Sequence, residues 1–262
     1  MLTTLQSGFF IFGAILGSFI NVVILRLPEG KSIVTPPSAC PGCGRRLSWF
    51  ENIPIVSFIL LRGRCRGCKE KISWQYPLIE ATCGLLSLAM FNRFGPSLLF
   101  AGYLAFAQAL VAIIFIDIRY QIIPDSISLP GIAIGFLLSF APGGIGWQAS
   151  LIGLVVGGGS LYAIALFYYL LTKREGMGGG DIKLLAMIGA FLGWQSLPFV
   201  IFGSAASGAL FGIGAMVKQG KGGKTVIPYG PFLSLAALVF HFFAPLVLAL
   251  EMRLLLPPGV VG

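Results

Sequence analysis

Eight apolar runs divide this chain, at roughly 5–25, 77–92, 98–117, 126–141, 149–171, 182–194, 197–217 and 229–250. About 20 apolar residues at 1.5 Å each match the ~30 Å hydrocarbon core of a bilayer. Within lipid each backbone polar group must find its partner inside the segment, so runs of this kind are read as helices. Composition agrees: 56% of residues are hydrophobic and 10% charged, against about 25% charged in ordinary soluble domains. Mean hydropathy is +0.92. The expected class is an all-α polytopic membrane protein with about eight transmembrane helices. The first run, Phe9 to Leu25, has no basic stretch before it and no clear small-residue cleavage site. It carries Asn21 and is followed by Arg26, so it reads as a retained helix and not a signal peptide. Several runs are short, and the division between the sixth and seventh, at Gly193-Trp194, is the softest boundary. Gly153, Gly157, Gly158, Gly159 and Ser160 in the fifth run would let a neighbouring backbone approach closely.

The net charge is +9, and its placement carries the information. Threading eight runs from an outside N-terminus puts Arg26, Lys31, Arg45, Arg46, Arg62, Arg64, Arg66, Lys69, Lys71, Arg119, Lys173, Arg174, Lys183, Lys218, Lys221 and Lys224 inside. Only Arg93 and Arg253 fall outside. Sixteen against two is the bias expected of cytoplasmic loops, and it removes any need to invoke nucleic acid as a partner.

Residues 27–76 break the pattern, being rich in Pro, Gly and basic side chains and containing four cysteines. The segment is too long for a plain connector and too short for an ordinary hydrophobic core, so something must staple it. Cys40-Pro-Gly-Cys43 and Cys65-Arg-Gly-Cys68 are two CxxC pairs separated by 21 residues. Each presents two thiolates from one tight turn, with Gly42 and Gly67 expected to permit the turn geometry. Two such turns converge on a tetrahedral ion, and four thiolates leave no open position, so structural zinc is the preferred reading. A disulfide or redox pair is the alternative, disfavoured by a reducing cytosol; an iron centre is another. Cys83, inside the second run, reads as a small buried apolar residue. The expected organisation is a first transmembrane helix over 1–26, a zinc-stapled cytoplasmic domain over 27–76 and a transmembrane catalytic domain over 77–262.

Acidic residues number nine. Glu29, Glu51, Glu70, Glu175 and Glu251 lie in polar segments and read as solvated or loop-pairing groups. Glu80, after Tyr76-Pro77, reads as a first-turn residue favoured by the helix dipole, with a ligand contact left open. Asp125, after Pro124, stands where an N-cap belongs. Asp117 and Asp181 differ, because each sits where an apolar run meets a polar turn. An ionisable group there costs about 2 kcal/mol or more and marks a functional site by default. Asp117 ends its run where the helix dipole opposes a carboxylate; an ion pair with Arg119 is its structural alternative. Asp181 follows Gly178, Gly179 and Gly180, and its structural alternative is an N-cap. The single histidine, His241, lies in an apolar segment and offers no Ser-His or metal-His site. Two facing carboxylates share one proton and can act as base and acid on a peptide bond.

The motifs then resemble those of the type IV prepilin peptidases, also called leader peptidase/N-methyltransferases, within the GxGD-type membrane aspartyl proteases. The resemblance is carried by GSFINVVILRLP (17–28), by the cysteine loop from Ala39 to Glu80, by FIDIRYQIIPD (115–125), by GMGGGDIK (176–183) and by IPYGPFL (227–233). It implies Asp117 and Asp181 as the catalytic pair and Cys40, Cys43, Cys65 and Cys68 as zinc ligands. It implies a multi-pass protein of the bacterial inner membrane that removes a short basic leader after a glycine from prepilins or pseudopilins, on the cytoplasmic side. It further implies N-methylation of the new N-terminus with S-adenosylmethionine. No glycine-rich Rossmann turn marks that cofactor's site, and its binding residues are not identified. A membrane binding module or transporter with a zinc-stabilised domain, using the two aspartates as ligands, is the competing class.

Overall fold

The computed structural model describes residues 2–174, 177–219 and 228–255. Gly176, Lys221, Lys224 and Ile227, which belong to motifs or loops singled out above, lie outside the described residues, as does Glu175. The described residues are helical throughout, apart from turns, two short 3-10 segments and two isolated β-bridges. The helices are α1 (Leu2–Arg26), α2 (Val56–Leu60), α3 (Gln75–Phe94), α4 (Leu98–Tyr120), α5 (Asp125–Leu138), α6 (Trp147–Thr172), α7 (Gly179–Leu192), α8 (Leu197–Gln219) and α9 (Gly230–Leu255). Each of the eight apolar runs is one of these helices; α2, inside the cysteine loop, is extra. Five segments are long and apolar enough to cross a membrane: 4–26, 98–120, 147–172, 194–214 and 230–252. The other three fall short for visible reasons. α5 and α7 have 14 residues each, about 21 Å at 1.5 Å per residue, and α3 carries Glu80 and Arg93.

The chain forms two compact units, Met1–Ile116 and Asp117–Gly262. In the first, α1 packs on α3 along a small-residue seam that the sequence analysis did not mark. A Cβ on Gly17 would lie 2.8 Å from Glu80 Cα, and a Cβ on Gly84 2.8 Å from the Phe10 ring, so the backbones nearly touch. Phe9 stacks on Phe91 at 3.8 Å and meets Phe100 edge-on at 5.1 Å, tying α4 to the pair. Cys83 is fully buried in this seam, as expected of a small apolar residue.

In the second unit α7 is the central element. Every residue from Leu184 to Leu192 is buried, covered by α5, α6 and α9. Its contact with α6 is backbone on backbone at Gly153 and Gly189, and Ser150 Oγ donates to Ala190 O at 2.7 Å. The expected role of the small residues in the fifth run holds at Gly153 and Gly157. Gly193, with φ +79°, ends α7, so the sixth and seventh runs are separate helices divided at that point. His241 is a packed histidine, 4% exposed, with its ring edge-on to Phe242.

Candidate functional site

The four cysteines lie in the first unit. Their Sγ atoms are all within 4.8 Å of one another, and Cys40 and Cys68 are 3.8 Å apart. A tetrahedral ion with arms of about 2.3 Å has sulfur–sulfur edges of about 3.8 Å, so the cluster fits zinc. The two knuckles are near copies. Cys40 N donates to Arg45 O and Gly44 N to Cys40 O; correspondingly, Cys65 N donates to Glu70 O and Lys69 N to Cys65 O. A bridge closes each, Ala39 to Arg46 and Arg64 to Lys71. The turn geometry corrects the expectation for Gly42 and Gly67. The left-handed residues are Gly44 (φ +68°) and Lys69 (φ +64°), one position beyond each second cysteine. Gly42 and Gly67 are instead covered by the Glu70 and Arg45 side chains from the opposite knuckles, and a Cβ would obstruct them. The backbone N–H groups of Cys68 and Gly67 hold the Cys65 thiol down to about 6, which favours the thiolate that a metal needs.

Beneath the knuckles, Arg45 donates to Glu51 at 2.6 Å and Ser48 N to the other Glu51 oxygen at 2.9 Å. These bonds hold the Glu51 carboxyl below the usual carboxylate range. Glu51 is thus a buried loop-pairing group and not a solvated one. Glu80 also departs from its expected role. It sits more than a turn inside α3, and its carboxylate accepts the Ile55 N–H at 2.7 Å.

The aspartates lie in the second unit. Asp117, 5% exposed, stands in the last turn of α4. The Arg119 guanidinium lies over Tyr120 at 5.4 Å, and the expected alternative, an Asp117–Arg119 ion pair, is not formed. Instead Asp117 Oδ2 accepts the N–H of Gly230, the first residue of α9, at 2.9 Å. The carboxylate opposed by its own helix dipole is therefore placed at the favourable N-terminus of another. Asp181 lies in the first turn of α7. The N-cap is Gly178, and no side-chain cap bond forms there, so the capping alternative does not describe it. Asp181 lies within reach of the Asp117 charge. Ile123 shows how they are brought together: its side chain contacts Gly180, next to Asp181, and Gly230, which holds Asp117. Tyr229, whose hydroxyl is 2.7 Å from Ser204 Oγ, also lies within reach of the Asp181 charge.

Asp125 is a correction. It is the first residue of α5, its helix has no side-chain cap bond, and its carboxylate takes Lys183 Nζ at 2.7 and 2.8 Å. It ties α5 to α7 and does not cap. Gly230, Ile123 and Tyr229 were assigned no role by sequence reasoning. Two of them lie in IPYGPFL and the third in FIDIRYQIIPD, so motif membership was their only signal.

Comparison with known proteins gives a consistent result. Residues 11–94 match the bacterial Peptidase A24 N-terminal domain, and residues 104–213 the type IV leader peptidase family. A Prepilin leader peptidase/N-methyltransferase of Pseudomonas putida is 35% identical, across 94% of this chain and 93% of its own. One from Aeromonas hydrophila is 38% identical, across 87% of each. One from Burkholderia pseudomallei (strain K96243) is 36% identical, across 92% of this chain and 86% of its own. No solved structure matches the chain. Motifs, helical membrane architecture and full-length similarity agree, and the chain belongs to the type IV leader peptidase family.

Proposed function

We propose that this protein is a membrane-embedded aspartyl endopeptidase and N-methyltransferase acting on type IV prepilins or pseudopilins. It removes their short basic leader after a glycine on the cytoplasmic side, then methylates the new N-terminus. The observation that supports the cleavage reading is the Asp117 carboxylate in the last turn of α4, held by the first N–H of α9, with its charge acting on Asp181 in the first turn of α7. Two carboxylates brought within hydrogen-bonding reach around a substrate would share one proton. Asp117, which receives the Gly230 N–H, suits the ionised role and takes a proton from water. Asp181 suits the protonated role and donates to the scissile carbonyl oxygen. The resulting hydroxyl adds to the carbonyl carbon, and the C–N bond then breaks as the proton on Asp117 passes to the leaving amine and Asp181 takes its proton back from a hydroxyl of the tetrahedral intermediate, which re-forms the carbonyl.

S-Adenosylmethionine would supply the methyl group for the second reaction. Zinc held by Cys40, Cys43, Cys65 and Cys68 would be structural, since four thiolates close its coordination. All eight apolar helices cross the bacterial inner membrane in this reading, with the N-terminus outside and 27–76 in the cytoplasm. The shortness of α7 does not oppose this, because residues 184–192 are buried in protein and need not match the lipid thickness. The domain organisation remains as expected, with 1–26 the first span, 27–76 the zinc module and 77–262 the catalytic region. Incubating the purified protein with a synthetic prepilin and S-adenosylmethionine tests the whole reading. A product lighter by the leader and heavier by one methyl group supports it, whereas an uncut substrate refutes it.

A further inference from the structure

Of the buried acidic groups among the described residues outside the aspartate pair, Glu51 is matched by Arg45 but Glu80 has no such partner. Glu80 is 7% exposed. Its carboxylate receives the Ile55 N–H at 2.7 Å and a hydrogen bond from Ser18. No cation pairs with it among the described residues. A carboxylate offers about four lone-pair sites, so two donors leave it half satisfied, and a buried charge without a counter-charge is costly.

A second unsatisfied acceptor lies beside it. Asn21 is 1% exposed, and its Nδ2 donates to Gly17 O at 3.2 Å and Tyr76 O at 3.3 Å. Two carbonyl acceptors fix which end of the amide is nitrogen. The remaining atom, Oδ1, is buried without a partner. The two groups are neighbours by several routes. Tyr76 and Glu80 are one turn apart on the same face of α3, and Ser18 of α1 bonds Glu80. The Gly17 backbone, to which Asn21 bonds, packs against Glu80 Cα.

The backbone adds a third observation. Ile55, which gives its N–H to Glu80, has φ +63° and ψ −50°, a costly conformation for a β-branched residue. The fold thus holds a strained residue against a carboxylate that still lacks a counter-charge. Acceptors converge here and donors are short, which suits a compact cation with several N–H groups.

We propose that Asn21 and Glu80 bind an α-ammonium group during methyl transfer, a reading that rests on the chain being a methyltransferase as well as a peptidase. Both reaction partners carry such a group: the N-terminus exposed by cleavage, and the amino-acid end of S-adenosylmethionine. The ammonium donates to Asn21 Oδ1 and to the free lone pairs of Glu80, completing both; where it is the new N-terminus it gives one proton to Glu80, and the freed nitrogen lone pair takes the methyl group as the methyl–sulfur bond breaks and S-adenosylhomocysteine leaves. Gln75, at the same end of α3, has a buried Nε2 without a partner, a donor that the carboxylate of an amino-acid moiety could use.

The test uses the full-length, zinc-loaded protein in detergent with Glu80→Gln. Glutamine keeps the size and an oxygen for the Ile55 N–H but removes the charge. Leader cleavage, methylation of a pre-cleaved peptide and equilibrium binding of S-adenosylmethionine are measured on the same preparation. Cleavage should continue while methyl transfer falls by about tenfold or more, the scale of a lost charge-assisted hydrogen bond. If the site holds the methyl donor, affinity for S-adenosylmethionine falls and the peptide KM is unchanged. If it holds the acceptor, the peptide KM rises and donor affinity is unchanged. Wild-type methylation with both constants unaltered overturns the proposal. Wild-type protein that cleaves without methylating overturns the methyltransferase reading and this site with it, before any variant is made. Should Glu80→Gln lose its zinc or its thermal transition, hydrogen exchange on the wild-type protein decides. Slower exchange around residue 55 with S-adenosylmethionine or with the cleaved peptide supports the site, and no protection by either overturns it.

Discussion

Replacing Gly230 by alanine isolates the contact that orients Asp117. Gly230 opens α9 with a backbone outside the left-handed region, so alanine fits there, and it is the better helix former by about 1 kcal/mol. The only new element is the methyl group. It would lie 2.7 Å from Asp117 Oδ2 and 3.1 Å from Ile123 Cδ1, the first well inside a normal C···O approach of about 3.3 Å. The carboxylate is the movable partner, so it swings aside and gives up the Gly230 N–H now 2.9 Å away. A hydrogen bond to a charged group is worth about 1.5–3 kcal/mol. At about 1.4 kcal/mol per tenfold change, the loss is roughly 10- to 150-fold. It should fall on kcat more than on KM, because in the proposed mechanism Asp117 acts on water. The assay is steady-state cleavage of a synthetic prepilin peptide, with thermal unfolding of each preparation. Gly159→Ala is the control, since nothing lies within 4 Å of the methyl it adds. A Gly230→Ala protein with wild-type kcat would refute the assignment of that N–H as the group holding Asp117 in working orientation.

Asp117→Asn and Asp181→Asn should each lower cleavage by about 10²–10⁴-fold or more, because an amide cannot shuttle the proton; full cleavage by either folded variant removes the pair from the mechanism. Asp125→Ala should leave cleavage in place and cost about 0.2–1 kcal/mol in unfolding measurements, since its pair with Lys183 is partly exposed; a loss of several kcal/mol would contradict that reading. Metal analysis should find about one zinc per chain, the number four thiolates close around, and Cys65→Ser with Cys68→Ser should expose residues 27–76 to protease before the helices melt. Because Arg45 and Ser48 hold the Glu51 carboxyl low, its contribution is complete above the ordinary carboxylate range and is lost as pH falls from there through the lowered folded-state value. The stability difference between wild type and Glu51→Gln should therefore shrink in acid, and a difference independent of pH would rule this out.

The candidate chemistry was legible in the sequence because it rests on residue types that are expensive where they stand. Asp117 and Asp181 interrupt apolar runs, and a carboxylate there needs a reason. Cys40, Cys43, Cys65 and Cys68 sit in a loop with no core, and paired CxxC spacing has few other uses. Apolar run length likewise gave each long helix, since lipid leaves the backbone little alternative. The failures share a cause as well. Asp125 and Glu80 were read from their local position as a cap and a first-turn charge. In the structure each is engaged by a group distant in sequence, Lys183 and the Ile55 N–H. Local rules see only the nearest unpaired amide.

Sequence alone determined that the chain is helical and membrane-embedded, that two carboxylates are its unusual groups, and that four thiols belong to one cluster. Those features follow from solvent, charge and short-range spacing, which a linear pattern records. Tertiary structure alone decided how Asp117 is held, through an N–H that lies 113 residues away in the chain. It also decided that Ile123 joins the two aspartate-bearing ends, that Gly42 and Gly67 serve close approach, and that Glu80 and Asn21 stand together with acceptors to spare. Each is a meeting of segments remote along the chain, fixed by packing geometry, and no residue's local neighbours specify it.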